Sequence, residues 1–253
     1  MGAVIFTDNE MIEKLAELIN SSKKTVFFGG AGVSTESGVK DYRSEDGLYN
    51  TVREYGVSPE TILSHSFFVA NPKIFYDFYY KYFLETTAEP NPAHIVLAEA
   101  EKKGKLSSVI TQNIDGLHQK AGSKNVIELH GTTDRHYCME CGAAYDTDKL
   151  KALSGKVPYC EKCGGLVRPD VVLYEEPLNE RTVSKAISEI SEAHLLIIGG
   201  TSLAVYPAAA YLRYFGGEHI VLINRGSTDY DARADLIFRD SIGQVMSEIR
   251  NKI

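Results

Sequence analysis

The 253-residue sequence has no internal repeat, no low-complexity segment, no surplus of positive charge and no apolar run long enough to span a bilayer. Its longest apolar runs, such as Leu195 to Ile198, fall far short of the roughly 20 residues a spanning helix needs. The first residues, MGAVIFTDNEMIEKL, lack a basic segment followed by an apolar one, so no secretory signal is expected and the cytoplasm is the expected location. Lys+Arg number 27 against Asp+Glu 34, a net charge of -7, which argues against nucleic-acid and acidic-membrane partners. Only four cysteines are present, and in a compartment that keeps thiols reduced they are expected to be metal ligands and not disulfides. Hydrophobic content of 43% and charged content of 24% are those of an ordinary globular protein, and the length fits one sizeable domain with an insert, or two small ones.

The organising stretch is Thr25 to Arg43, TVFFGGAGVSTESGVKDYR, in which an apolar strand runs straight into glycines. Glycines after a strand permit a tight turn and let backbone N–H groups approach a pyrophosphate, and the positive end of a following helix favours the anion. Here too something is missing: Thr35 stands where the dinucleotide fingerprint has its third glycine, and no acidic residue ends a second strand to hold a ribose as in a dehydrogenase. Taken alone, Gly30-Ala31-Gly32 fits an ordinary strand-to-helix turn equally well.

Along the rest of the chain, Thr7 and Glu10 form a capping-box pattern before Met11, Ile12, Leu15, Leu18 and Ile19 at helical spacing, a packing helix to Asn20. Ser44 to Tyr82 reads as loop and short helices with Phe75, Phe78, Tyr79 and Tyr82 as an aromatic core face. Asn91 caps a helix that Pro92 opens and Gly104 ends. Short apolar segments then end repeatedly in polar or small residues. Ser108-Val109-Ile110 leads to Gln112-Asn113-Ile114-Asp115, Val126 to Leu129 leads to His130-Gly131, Leu195 to Ile198 leads to Gly200-Thr201-Ser202, and Ile220 to Ile223 leads to Asn224. With helical stretches such as Glu180 to Ala193 between them, this is the alternation of a doubly wound parallel sheet, whose ligands sit at the strand ends.

Tyr137 to Arg168 breaks the alternation and holds all four cysteines, as Cys138-x-x-Cys141 and Cys160-x-x-Cys163 with eighteen residues between the pairs. Two such knuckles predict a tetrahedral tetrathiolate zinc site, and with every position filled by sulfur the metal is structural and not catalytic. Five Lys/Arg against four Asp/Glu between Cys138 and Arg168 leave the module nearly neutral and poorly suited to phosphate backbones.

Taken in order, Gly30-Ala31-Gly32-Val33-Ser34-Thr35-Glu36-Ser37-Gly38, Asp41-Tyr42-Arg43, Gln112-Asn113-Ile114-Asp115, Leu129-His130-Gly131, the two knuckles, Gly200-Thr201-Ser202-Leu203 and Asn224 resemble the sirtuins, NAD-dependent protein deacylases of bacterial type. The resemblance runs from about Thr25 to the C-terminal region. It implies an α/β Rossmann-like doubly wound parallel sheet, from about 1–35, 86–136 and 169–253, with a small zinc-binding domain inserted, from 36–85 and 137–168. NAD and an acyl-lysine peptide would enter between them, yielding nicotinamide, deacylated lysine and O-acyl-ADP-ribose.

By the same resemblance His130 is the general base, a role suited to an imidazole that titrates near neutrality, and His118 is structural. Asn113 holds the ribose or a water. Asp115, helped by the Ile114 backbone, accepts from the nicotinamide carboxamide. Gly30, Ala31, Gly32, Thr35, Arg43, Gln112, Gly200, Thr201, Ser202 and Asn224 line the dinucleotide site, Tyr42 covers the nicotinamide, and Ser241 and Ile242 touch the adenine. Val172, Tyr174 and Glu175 pair with the peptide, where Glu175 replaces the family's usual glycine and favours basic flanks. Lys40 and Tyr42 replace the usual proline and phenylalanine, implying a more mobile and more polar cofactor loop. No Tyr-x-x-Arg pair for acidic acyl groups appears in Phe75 to Phe83, which favours acetyl or another uncharged acyl group. A mono-ADP-ribosyltransferase and a non-enzymatic zinc-ribbon adaptor are the alternatives, and a dehydrogenase fits least.

Overall fold

The computed structural model describes residues 8–40, 52–85, 87–204 and 207–253. The first strand, β1 (Thr25–Gly29), is buried along its whole length, as expected of a run without a polar alternation. It pairs in parallel with β2 (Ser108–Thr111) on one side, and β2 with β3 (Val126–Glu128). On its other side β1 pairs in parallel with β7 (Leu195–Gly199), followed by β8 (His219–Ile223) and β9 (Leu236–Phe238). The six-stranded order is therefore β3-β2-β1-β7-β8-β9. The chain leaves β1 in opposite directions, which makes the gap between β1 and β7 the topological switch point.

Both faces of the sheet are covered, because its residues are apolar on both. Phe27, Val109, Leu195, Ile197 and Val221 pack with the helices Asp8–Ser21, Pro92–Lys102 and Ile242–Ile249. Val26, Phe28, Ile110, Leu196, Ile198 and Leu222 pack with helix Glu180–Glu192 and the 3-10 segment Ala208–Tyr214. Asn91 caps its helix as expected, accepting from the Ala93 N–H at 2.9 Å. Thr7, half of the first predicted cap, lies outside the described residues.

Three features differ from the sequence reading. The turn after β1 does not open a long helix. It forms two 3-10 turns, Ala31–Val33 and Thr35–Ser37, so its polar backbone is presented without a helix macrodipole behind it. Strand β9 and helix Ile242–Ile249 were not foreseen, since Leu236–Phe238 is too short to show a period. The second sheet, β5-β4-β6, is antiparallel and made of β4 (Gly131–Cys138), β5 (Ala144–Asp146) and β6 (Val167–Val171). It begins at Gly131, before the expected 137–168 module, because β4 reaches from the end of the large sheet to the first knuckle.

This antiparallel sheet shares one core with the short helices between Pro59 and Leu84: Phe68, Phe75, Tyr76, Phe78 and Tyr79 pack together with Cys138, Leu150, Cys160 and Val167. Gly131 is the joint between the two sheets. Its φ is +77°, and a Cβ there would lie 2.0 Å from the carbonyl oxygen of Asp170. Gly131→Ala should cost more than about 2 kcal/mol, since strain and a backbone clash combine. Gly104→Ala, at φ +71° with nothing within 4 Å, should cost about 1 kcal/mol. Urea unfolding midpoints compare the two directly.

Candidate active site

The register fixes where the polar strand ends go. Gly29 is level with Thr111 and Gly199, Thr111 with Glu128, Gly199 with Ile223, and Ile223 with Phe238. The segments starting at Gly30, Gln112, Gly200 and Asn224, together with His130, therefore leave the same edge of the sheet. Between β1 and β7 the two loops touch backbone to backbone, the Gly32 N–H donating to the Gly200 carbonyl at 2.8 Å. A Cβ on Gly32 would lie 2.8 Å from the Gly200 backbone, and one on Gly200, at φ +58°, 2.4 Å from the Val33 nitrogen. Part of the glycine requirement thus comes from this contact and not from a phosphate. Ala31 and Thr35 are exposed.

Ser34, a motif residue to which the sequence reading assigned no role, sits at the centre of the site and is 1% exposed. Its hydroxyl donates to Asp115 Oδ2 at 2.7 Å and accepts from Asn113 Nδ2 at 3.0 Å. Asp115 Oδ1 accepts from the Leu117 N–H at 3.0 Å. Burial pushes the Asp115 carboxyl above its ordinary value, opposed by the Leu117 and Ser34 hydrogen bonds. A carboxylate has about four acceptor sites, so two remain for a ligand N–H. The Ile114 carbonyl accepts from both the N–H and the hydroxyl of Thr133, so what Ile114 offers a ligand is its N–H.

His130 lies in the turn between β3 and β4, and its Nδ1–H donates to the Gln112 carbonyl at 2.8 Å. That bond fixes the tautomer and leaves the Nε2 lone pair as a proton acceptor. Burial lowers the imidazole below its ordinary value, with the Gln112 bond opposing, so the ring is neutral at pH 7. The His130 carbonyl accepts from the Val172 N–H at 2.9 Å, tying this histidine to the candidate peptide strand. His118 is 1% exposed, and neither ring nitrogen has a hydrogen-bond partner among the described residues, as suits a packing residue.

Further along the edge, Gln112 Nε2 donates to Thr201 Oγ1 at 3.2 Å, and a Cβ on Gly30 would meet Thr201 at 2.9 Å. Ser202 is exposed, and Asn224 bonds the Gly226 carbonyl through its side chain at 2.9 Å. Two residues expected at the adenine are differently employed. The Ser241 hydroxyl donates to Glu36 at 3.2 Å, and the Ile242 side chain is buried in the core, leaving only its backbone for a ligand. Glu36, also unassigned from the sequence, accepts from the Gly243 N–H at 2.9 Å and so caps the last helix onto the glycine turn. Tyr42 and Arg43 lie outside the described residues.

Beside Ile114 a cavity of about 40 Å³ is lined by Leu63, Phe75, Tyr79, Phe83, Val172 and Leu173, among others. The Tyr79 hydroxyl is taken up by His136 Nε2 at 3.0 Å, and the described lining residues of the cavity are mainly apolar. Two of the expected aromatic core residues, Phe75 and Tyr79, are thus both core and wall. Tyr174 bridges to Ser64, its N–H donating to Leu63 and its carbonyl accepting from His65. Glu175 has φ 76°, the left-handed region, which agrees with its standing at a glycine position. Its carboxylate recovers part of the strain by accepting from the N–H and hydroxyl of Ser66, both at 2.9 Å.

The four cysteine sulfurs lie within 4.8 Å of one another, with Cys138 and Cys163 at 3.4 Å and Cys141 and Cys160 at 3.6 Å. Zn–S bonds of about 2.3 Å in a tetrahedron require sulfurs about 3.8 Å apart, so this donor set fits zinc with no open position.

 The zinc ties the Cys138–Cys141 knuckle at the end of β4 to the Cys160–Cys163 knuckle before β6. Metal removal by a chelator should therefore unfold the small domain and lower the melting temperature, and cobalt should restore the fold with thiolate absorption bands. Freshly purified protein without bound metal would contradict this assignment.

Residues 30–207 match the Sir2 family. The chain is 50% identical over 240 residues to an NAD-dependent protein deacetylase of Clostridium acetobutylicum, covering 95% of this chain and 98% of that one. It is 53% identical over 242 residues to an NAD-dependent protein deacetylase of Clostridium perfringens, covering 95% and 99%. Among solved structures it resembles a Sir2–p53 peptide–NAD+ complex with a TM-score of 0.84 at 37% identity, covering 95% of this chain and 98% of that chain. With an ordered motif set, a parallel sheet that gathers it at one edge and relatives matched over nearly their whole length, this chain belongs to the Sir2 family, the sirtuins.

Proposed function

We propose that the protein is an NAD-dependent protein-lysine deacylase that converts NAD and an acyl-lysine peptide to nicotinamide, the free lysine and O-acyl-ADP-ribose, acting in the cytoplasm. The observation that carries the reading is the convergence of Asn113, Asp115 and His130 beside the glycine turn, next to an apolar cavity that reaches Ile114. Bound NAD supplies an electrophilic ribose carbon with nicotinamide as the leaving group. The protein's part is to hold, orient and accept a proton. Asp115 and the Ile114 N–H suit the two ends of a carboxamide. Asn113 would hold the ribose, and Nε2 of His130 would be the acceptor for a proton from its hydroxyl system. Gly30, Ala31, Gly32, Thr35, Gln112, Gly200, Thr201, Ser202, Asn224, Ser241 and the Ile242 backbone form the remaining dinucleotide wall, with Tyr42 and Arg43 assigned by resemblance.

The cavity is small and none of its described lining residues is a cation, so it suits acetyl or another short uncharged acyl group. Val172 and Tyr174 line the peptide strand, and Glu175, whose carboxylate stays well ionised because the Ser66 N–H and hydroxyl bond it, adds negative charge. Peptides with Lys or Arg flanks should be favoured over Glu-flanked ones by less than about fivefold, as for an exposed charge pair, and the preference should shrink in high salt. An unchanged ratio after Glu175→Gln would remove Glu175 from the explanation.

Nicotinamide should be released from NAD only when an acetyl-lysine peptide is present, and His130→Ala should lower that rate by about 100-fold or more. Release without peptide would sink the reading, and label from NAD retained on protein would favour a mono-ADP-ribosyltransferase. Since burial holds His130 below the usual 6.5, the base is already neutral at that pH and is lost only on further acidification. The acid limb of kcat/KM should accordingly fall below pH 6.5, and a limb above it would contradict the assignment of His130.

A further inference from the structure

We propose that His94, which lines no ligand surface, is a positioning residue of this site: by donating from Nε2 to Ser34 it dictates which faces Asn113 and Asp115 turn to the cofactor. His94 is fully buried in the first turn of helix Pro92–Lys102. The Asn91 N–H donates to its Nδ1 at 3.3 Å, so Nδ1 carries the lone pair and Nε2 the proton. Nε2 lies 3.4 Å from Ser34 Oγ, which therefore accepts from it.

The Ser34 hydroxyl is then saturated. It has one proton and two acceptor sites. The proton goes to Asp115 Oδ2, and the acceptor sites take Asn113 Nδ2 and His94 Nε2. With the opposite tautomer, Nδ1–H would face the Asn91 N–H, and Nε2 would compete with Asp115 for the single proton. With the Ser34 proton spent on Asp115, the Asn113 amide can meet Ser34 only through its N–H. Its Oδ1 and its second N–H are left for the ligand.

The surroundings keep this arrangement in one state. The His118 ring packs on His94 with centroids 4.7 Å apart. Burial, the largest cause for each, brings His94 down to about 4 and His118 to about 3, so both rings are neutral at physiological pH. The direction of a proton, and not a charge, is what His94 transmits. Asn91 anchors the same unit from behind, its Nδ2 donating to the Val33 carbonyl at 2.7 Å and to Ser37 Oγ at 3.0 Å.

The proposal rests on the NAD-dependent reading, which wild-type peptide-dependent nicotinamide release tests by itself. Two variants then separate positioning from helix capping. In His94→Asn the carboxamide oxygen reaches the Asn91 N–H in the place of Nδ1, but nothing reaches Ser34. In His94→Gln an amide N–H extends to the place of Nε2. Positioning predicts that His94→Asn folds with a near-native melting temperature yet loses about 10- to 100-fold in kcat, and that His94→Gln regains most of the loss. Added to Ser34→Ala, His94→Asn should cost less than about threefold more, because the two act through one hydroxyl. Full activity in His94→Asn, or losses that multiply in the double variant, would overturn the proposal. A second readout needs neither NAD nor turnover: nitrogen-15 spectra of the ligand-free protein should show His94 as the Nε2–H tautomer, with the Asn113 side-chain amide shifting in His94→Asn. The Nδ1–H tautomer would overturn it whatever the enzyme assay gives.

Discussion

The backbone contact between Gly32 and Gly200 is the constraint on which the site depends. Two loops leaving adjacent parallel strands approach until the N–H of one meets the carbonyl of the other, a distance that no side chain on either residue permits. The contact closes the switch point of the sheet and sets where the next residues, Val33 and Ser34, can go. Ser34 in turn meets Asn113 and Asp115 from the segment that follows β2. A Cβ at either glycine would push apart the strand ends that must converge, so its effect would reach the polar cluster without touching it.

That cluster works in a medium of low polarity without relying on a fixed ion pair. Asp115 is stabilised by a hydroxyl and a backbone N–H, and His130 by a carbonyl, each a short bond to a dipole that cannot reorient. Desolvation raises the carboxyl and lowers the imidazole. The result is a proton acceptor that is empty at neutral pH and a carboxyl with acceptor sites to spare. Preorganised dipoles of this kind cost no rearrangement when a ligand arrives.

Charge is concentrated where the peptide would lie. Arg168 donates through two nitrogens to Glu176 at 2.6 and 2.8 Å, and Arg168 also bonds the Val171 carbonyl at 2.8 Å. Burial alone would raise the Glu176 carboxyl, but Arg168, the Leu173 N–H and His65 outweigh it and bring it down to about 2. The bidentate pair clamps both ends of the turn from Val171 to Glu176. It therefore holds the strand beside His130 in register with the cavity, while the zinc knuckles fix the far end of the same antiparallel sheet.

Much of this was readable from residue order. Fully apolar segments ending in Gln112-Asn113-Ile114-Asp115, His130-Gly131 and Gly200-Thr201 announce parallel strands with a common ligand edge, and paired C-x-x-C spacing announces a metal, because both signals are local and periodic. Three residues of β9, the 3-10 turns after β1 and the start of β4 at Gly131 were not readable, since they are too short or irregular for a period to appear. The roles of Ser34, His94 and Glu36 escaped for a different reason. Each depends on partners between 60 and 207 positions away, which the chain brings together only when the sheet closes. Residue order decided which chemical groups the protein owns and on which strands they ride; the tertiary structure alone decided which proton faces which lone pair, because hydrogen-bond direction is a property of neighbours in space and not in sequence.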